Sequence, residues 1–143
     1  MILVRHAEIY TKAEPTRTQF INRLAENIRR SLPGYKVSNL YWRLVVDGPD
    51  DNVALDALSR VFGVASFSPA VQTALDMKEL TEQALSFCVP KKTFAVRTQR
   101  IDKNFLLTSQ QVNEQIGQAI VDEKKLKVNL SKPQQEIGIE ILR

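Results

Sequence analysis

Five basic residues, Lys91, Lys92, Arg97, Arg100 and Lys103, fall between Cys88 and Ser109 against a single acid, Asp102. Their local balance of +4 equals the net charge of all 143 residues. Arginine brings a forked set of donors and lysine a point charge, and both suit phosphate and 2′-hydroxyl groups. Thr108 and Gln111 read as a capping box, which sets Ser109 at a helix N-terminus whose free amides favour phosphate. Taken singly, each cation is as well suited to solvating a surface or pairing with an acid.

The chemistry of catalysis is harder to find. There is no glycine-rich phosphate loop and no cysteine pair at metal-binding spacing. His6 is the only histidine, and one histidine neither builds a metal site nor completes a triad; a packing role at a strand end suits it. Cys88, the only cysteine, falls on the apolar side of its helix, which suits a buried, inert thiol. A lone cysteine cannot form an internal disulfide, and no apolar run approaches the roughly 20 residues that span a bilayer. The expectation is a cytoplasmic chain with no membrane segment, no catalytic residue, no metal site and no cofactor of its own.

Charge is also unevenly spread. Residues 1–36 carry seven basic and three acidic groups, residues 37–87 three and seven, and residues 110–143 five of each. Two basic blocks therefore flank an acidic middle. Brought together, they would suit a polyanion, with RNA the natural candidate; left apart, they would serve solubility.

The elements that must position these groups follow from periodicity. Ile2-Leu3-Val4 is a continuous apolar run, expected of a central strand. Thr16 and Gln19 read as a capping box before Phe20, Ile21, Leu24, Ala25, Ile28 and Leu32, a helix ended by Pro33-Gly34 that leaves Arg23 and Arg30 towards solvent. Residues 35–41 and 43–46 read as strands meeting near Trp42, and a helix with Ala54, Ala57, Leu58, Val61 and Phe62 begins at Asp50 or Asp51. A strand over 65–71 follows, confined to an edge or a strand end by Pro69. The order βαββαβ is the split pattern of a ferredoxin-like domain, placed at residues 1–72.

A second unit is expected over residues 73–143. Asp76 and Glu79 cap a helix with Met77, Leu80, Ala84, Phe87 and Cys88 on one face. A strand carries Phe94 and Val96 on one side and Arg97 on the other, leaving the sheet at Asp102-Lys103-Asn104. A helix with Val112, Ile116, Ala119 and Ile120 follows, closed by Lys124-Lys125. Ile137, Ile139 and Ile141 then alternate with Gly138 and Glu140 as a strand. Gly117 inside the helix costs about 1 kcal/mol against alanine, so close packing or ligand approach is expected there.

The run Lys92-Thr93-Phe94-x-Val96-Arg97-x-x-Arg100-x-Asp102-Lys103-x-Phe105-x-Leu107-x-Ser109, with Ile116-Gly117 beyond it, closely resembles the THUMP domain of the tRNA 4-thiouridine synthetases, also called thiamine-biosynthesis sulfurtransferases. The opening Ile2-Leu3-Val4-Arg5-His6-Ala7-Glu8-Ile9 resembles that family's start, usually Val-Arg-Tyr-Gly-Glu-Ile. Residues 61–70 resemble its middle. The resemblance implies an α+β chain: a ferredoxin-like domain, then an α/β THUMP domain in which one more strand would follow residues 136–142, so that the second sheet lacks its last strand here. It also implies tRNA as partner, gripped by the acceptor stem and CCA end. Arg97, Arg100 and Lys103 match the motif, Ser109 stands at its helix start, and Arg5, Lys12 and Arg17 match basic positions near the family's first loop and helix. Ala7 stands where glycine is usual. Trp42 departs from the family's small residue and is either a core anchor or a stacking platform.

The family's adenylating Ser-Gly-Gly-x-Asp-Ser loop is missing, so ATP, magnesium and a persulfide sulfur donor are expected to act in a catalytic domain C-terminal to this region. Self-association as a dimer stays open. The competing readings are the binding half of another THUMP enzyme, such as a tRNA methyltransferase or a deaminase's partner, and a ferredoxin-like ligand-sensing domain.

Overall fold

The computed structural model describes residues 1–6, 13–41 and 43–142. Ala7, Lys12 and Trp42 lie outside them. Two compact units divide the chain at Met1–Val71 and Gln72–Arg143.

In the first unit β1 (Ile2–His6) lies between β3 (Arg43–Asp47) and β4 (Val64–Pro69), with β2 (Lys36–Leu40) outside β3. Every neighbouring pair is antiparallel. β1 and β2 therefore run parallel with β3 between them, the split arrangement of a ferredoxin-like fold. Ile2 and Val4 are fully buried, as a central strand requires. Pro69, which has no N–H to give a ladder, ends the edge strand β4 opposite Ile2. Helices α1 (Glu14–Ser31) and α2 (Asp51–Leu58) supply Ile21, Leu24, Ala25, Ile28, Ala54 and Leu58 to a core shared with Val37, Leu44 and Val46. Arg23 and Arg30 stand in solvent, both within ion-pair distance of Glu26.

Two expectations for α1 change. Its N-cap is Ala13, with no side-chain bond, and Pro15 lies in its first turn, so the Thr16–Gln19 pair is inside the helix and caps nothing. Proline with its fixed φ starts a helix as effectively as a cap does. Phe20 is 54% exposed. One residue advances a helix by about 100°, which puts Phe20 off the margin of the buried arc that starts at Ile21.

The turn from β3 into α2 rests on Tyr35. Its hydroxyl donates to the Asp50 carbonyl at 2.8 Å, and its ring lies so close to Gly48 that a Cβ there would meet Cδ1 at 2.2 Å. Asp50 in turn caps α2, accepting from Asn52 and Val53. Gly48→Ala should push the ring aside and cost about 1–2 kcal/mol. An unchanged urea midpoint would show that the ring has room to move.

The second unit pairs β5 (Phe94–Arg100) with β6 (Gln135–Ile141) in parallel, from Phe94↔Gln135 to Arg100↔Ile141. A parallel pair needs a long crossover, and α4 (Ser109–Lys124) supplies it. Among the described residues no strand pairs with the far edge of β6. Phe94, Val96, Val112, Ile116, Ile120, Ile137, Ile139 and Ile141 fill the core, with Ala84 and Leu85 from α3 (Met77–Phe87). Phe87 is 43% exposed and Leu85 takes the buried place expected of it. The Asp76 carboxylate accepts from the Glu79 amide as expected, but the Glu79 side chain turns to the Ala74 amide instead of closing a box.

Candidate nucleic-acid interface

The basic turn after β5 is a braced loop. Arg100, half-buried at the end of the strand, donates from Nη1 to the carbonyls of Phe105 at 3.0 Å and Leu107 at 2.7 Å. The amides of Ile101 and Asp102 both donate to the Ile141 carbonyl, and the Asp102 carboxylate accepts from the Asn104 amide at 2.9 Å. Thr108 and Gln111 form a complete capping box at the start of α4. Phe105 and Leu107 pack on the core, while Leu106 between them is 97% exposed.

These constraints sort the expected contact residues. Lys103 projects from the loop, exposed and with no ion pair among the described residues. Ser109 is the first residue of α4, half-buried, where first-turn amides lie ahead of the helical ladder. Arg97 is exposed on β5, but its Nη2 donates to the Leu130 carbonyl and its Nε lies 3.6 Å from Glu136. Arg100 is not the solvent-facing cation that its place after a strand suggests; its guanidinium folds the loop over itself. The structure therefore gathers Arg100, Lys103 and Ser109 at one end of β5, with Arg97 partway along it.

In the first unit Arg5 is half-buried and its Nη1 donates to Ser68 Oγ at 3.1 Å. Arg17 is half-buried in the first turn of α1. Lys12 lies outside the described residues. Arg43, only 4% exposed, is a cation that sequence reasoning passed over. The β1–β3 register carried one step further sets it beside Arg5, on the sheet face opposite the helices. Period-two alternation could have put it on that face; its burial has no signal in the sequence.

Gly117 does not meet the expectation of close packing, because a Cβ there would touch nothing within 4 Å. Gly117→Ala should therefore stabilise the second unit by about 0.5–1 kcal/mol through helix propensity. A loss of stability in thermal melts would reveal a packing partner. His6 is buried at the end of β1. Cys88, expected to be buried, is only half-buried; burial raises its thiol pKa, partly offset by Lys124, and its Sγ donates to the Ala84 carbonyl at 3.3 Å, both of which favour the protonated form. Among the described residues no three His, Cys, Asp or Glu side chains gather as metal ligands. Nor is any described helix long and apolar enough to cross a membrane.

Two family models match: a ThiI ferredoxin-like domain over residues 1–68 and a THUMP domain over residues 72–143. A protein of Methanocaldococcus jannaschii named probable tRNA sulfurtransferase is 35% identical over 156 residues, covering 99% of this chain and 41% of the relative. One of the same name from Latilactobacillus sakei is 32% identical and is covered to 37%. The chain thus spans about 40% of the length of these relatives. PH1313 of Pyrococcus horikoshii superposes with a TM-score of 0.87 at 31% identity, over 99% of this chain and 50% of that one. A 4-thiouridine synthetase crystallised with RNA and ATP superposes with a TM-score of 0.75 at 27% identity, over 97% of this chain and 37% of that one. With THUMP matching half of its length and the ThiI ferredoxin-like model most of the remainder, the chain belongs to the THUMP family, in the ferredoxin-like–THUMP arrangement shared with the tRNA sulfurtransferases.

Proposed function

We propose that this chain is the tRNA-gripping region of a tRNA 4-thiouridine synthetase. It would hold the acceptor stem and CCA end so that uridine 8, at the junction with the D stem, meets a separate adenylating sulfurtransferase domain. ATP, magnesium and a persulfide donor would act in that domain. The observation that carries this reading is the likeness, over 97% of the chain, to a 4-thiouridine synthetase solved with RNA. Its counterpart in local chemistry is the end of β5, where a braced loop carries Lys103, which has no ion pair among the described residues, close to a helix N-terminus. Rigid placement of such donors lowers the ordering cost of binding a phosphate backbone.

Fluorescence anisotropy with labelled tRNA tests it. Lys103→Ala should weaken binding, leave the melting temperature unchanged and reduce the slope of log affinity against log salt by about one unit, or about 0.7 for a single-stranded end. A variant that binds as the parent does would remove Lys103 from the contact.

A further inference from the structure

We propose that the lysine-rich opposite end of the second unit, where the chain enters β5 and β6, is a second contact for an RNA phosphate backbone, separate from the turn that carries Lys103. This rests on the RNA-binding reading above and extends it to residues that reading leaves unused.

Six lysines converge there: Lys91 and Lys92 before β5, Lys124, Lys125 and Lys127 at and after the end of α4, and Lys132 before β6. All six are exposed, and among the described residues none makes an ion pair. Of the acids closest in sequence, Asp122 accepts from Gln118 and Glu136 lies against Arg97, while Glu123, exposed next to Lys124, forms no ion pair with these lysines among the described residues and offsets one of the six charges. A helix C-terminus favours cations in its last turn, which accounts for Lys124 and Lys125 but not for the other four.

The segments bearing these lysines are fastened to one another. The Phe94 amide donates to the Lys127 carbonyl at 3.0 Å, and the Asn129 amide donates to the Phe94 carbonyl at 2.8 Å. Gln135 spans the Val89 backbone with both ends of its amide, and the Asn129 side chain accepts from the amides of Ser131 and Lys132. The backbone itself supplies a second, independent sign. Lys91 (φ 63°) and Lys125 (φ 55°) both occupy the left-handed region, where glycine or asparagine is the unstrained choice. Lysine at both places is unfavourable for folding, which points to a use for the side chains.

Six residue steps of β5, at about 3.3 Å each, set this end about 20 Å from the Lys103 turn. That is twice the screening length of about 10 Å at 0.1 M salt, so the two ends act as separate contacts. A phosphate backbone, with charges repeated along its length, can engage both.

The test is tRNA binding across a salt series, with thermal melts, on the 143-residue chain and three variants. Lys91→Gly/Lys125→Gly should melt at or above the parent temperature while losing affinity and about two units of salt slope, or about 1.4 if the contacted RNA is single-stranded. Lys92→Ala/Lys127→Ala/Lys132→Ala should lose about three units, or about two. The control Lys36→Ala/Lys78→Ala, which removes exposed lysines elsewhere, should keep the parent slope. Unchanged slopes in the lysine-end variants, or an equal loss in the control, would overturn the proposal while the parent's binding leaves the RNA reading intact. Failure of the parent to bind tRNA would remove both readings. Loss of binding to phosphatidylserine vesicles with tRNA binding retained would make the patch a membrane contact and also overturn it.

Discussion

Phe94→Ala is expected to cost about 3–5 kcal/mol and to unfold most of the second unit at 37 °C. Among the described residues Phe94 heads the fully buried side chains by size, and it sits at the start of β5 within the second core. Its backbone joins that strand to the segment after α4 through Lys127 and Asn129, with a further bridge to Val128. Removing the ring leaves a cavity lined by residues already held in place by the sheet and by α4, so little collapse can recover the loss. A unit of about 70 residues holds roughly 4–10 kcal/mol in all, and this one substitution removes a large share of it. Phe94→Leu, which keeps most of the volume, should cost about 1.5 kcal/mol. Urea melts of the two variants check both figures; a Phe94→Ala midpoint equal to the parent's would show that the core is not built around this ring.

The expected loss at Phe94 could be read in the sequence because the ring belongs to a period-two pattern with Val96. The same holds for the run Ile2-Leu3-Val4, for the alternating Ile137, Ile139 and Ile141, and for the Thr108–Gln111 box, where local chemistry and tertiary burial agree. Disagreements occur where burial is decided by neighbours distant in sequence. Periodicity gives the direction of a helical face but not its breadth, so Phe20 and Phe87 fall outside the cores while Leu85 falls inside. Capping rules mark where a helix can start, and Pro15 starts α1 without one. The candidate interface was visible as a composition of cations, with no means of telling a free lysine from an arginine spent on its own backbone. Nor could the left-handed φ of Lys91 and Lys125 be foreseen, since neither residue type asks for it.

Arg100 is where that distinction has its largest effect. Arg100→Ala removes two charge-assisted bonds to the Phe105 and Leu107 carbonyls, and such bonds contribute about 1.5–3 kcal/mol when broken from one side. Water can reach part of this exposed loop and take over one carbonyl, so a total loss of about 1.5–3 kcal/mol is expected rather than twice that. The greater consequence is positional. Without the guanidinium, the hydrogen bonds left to residues 101–107 are those to Ile141 and the Asp102–Asn104 turn, beside the packing of Phe105 and Leu107 on the core, and Lys103 is less firmly placed near the first turn of α4. RNA affinity should then fall by more than it does in Lys103→Ala, although Arg100 itself points into the loop. Arg100→Lys separates the two effects, because its ammonium retains the charge and has donors enough, but the side chain is one atom shorter and brings Nζ short of the place from which Nη1 reaches both carbonyls. It should recover little of either the stability or the affinity. Hydrogen exchange at the Ile101, Asp102 and Asn104 amides, the bonded amides of the loop, gives the readout, with protection reduced in both Arg100 variants and kept in Lys103→Ala. Full recovery of stability and affinity by the lysine would mean that charge at this position, and not the brace, is what the loop requires.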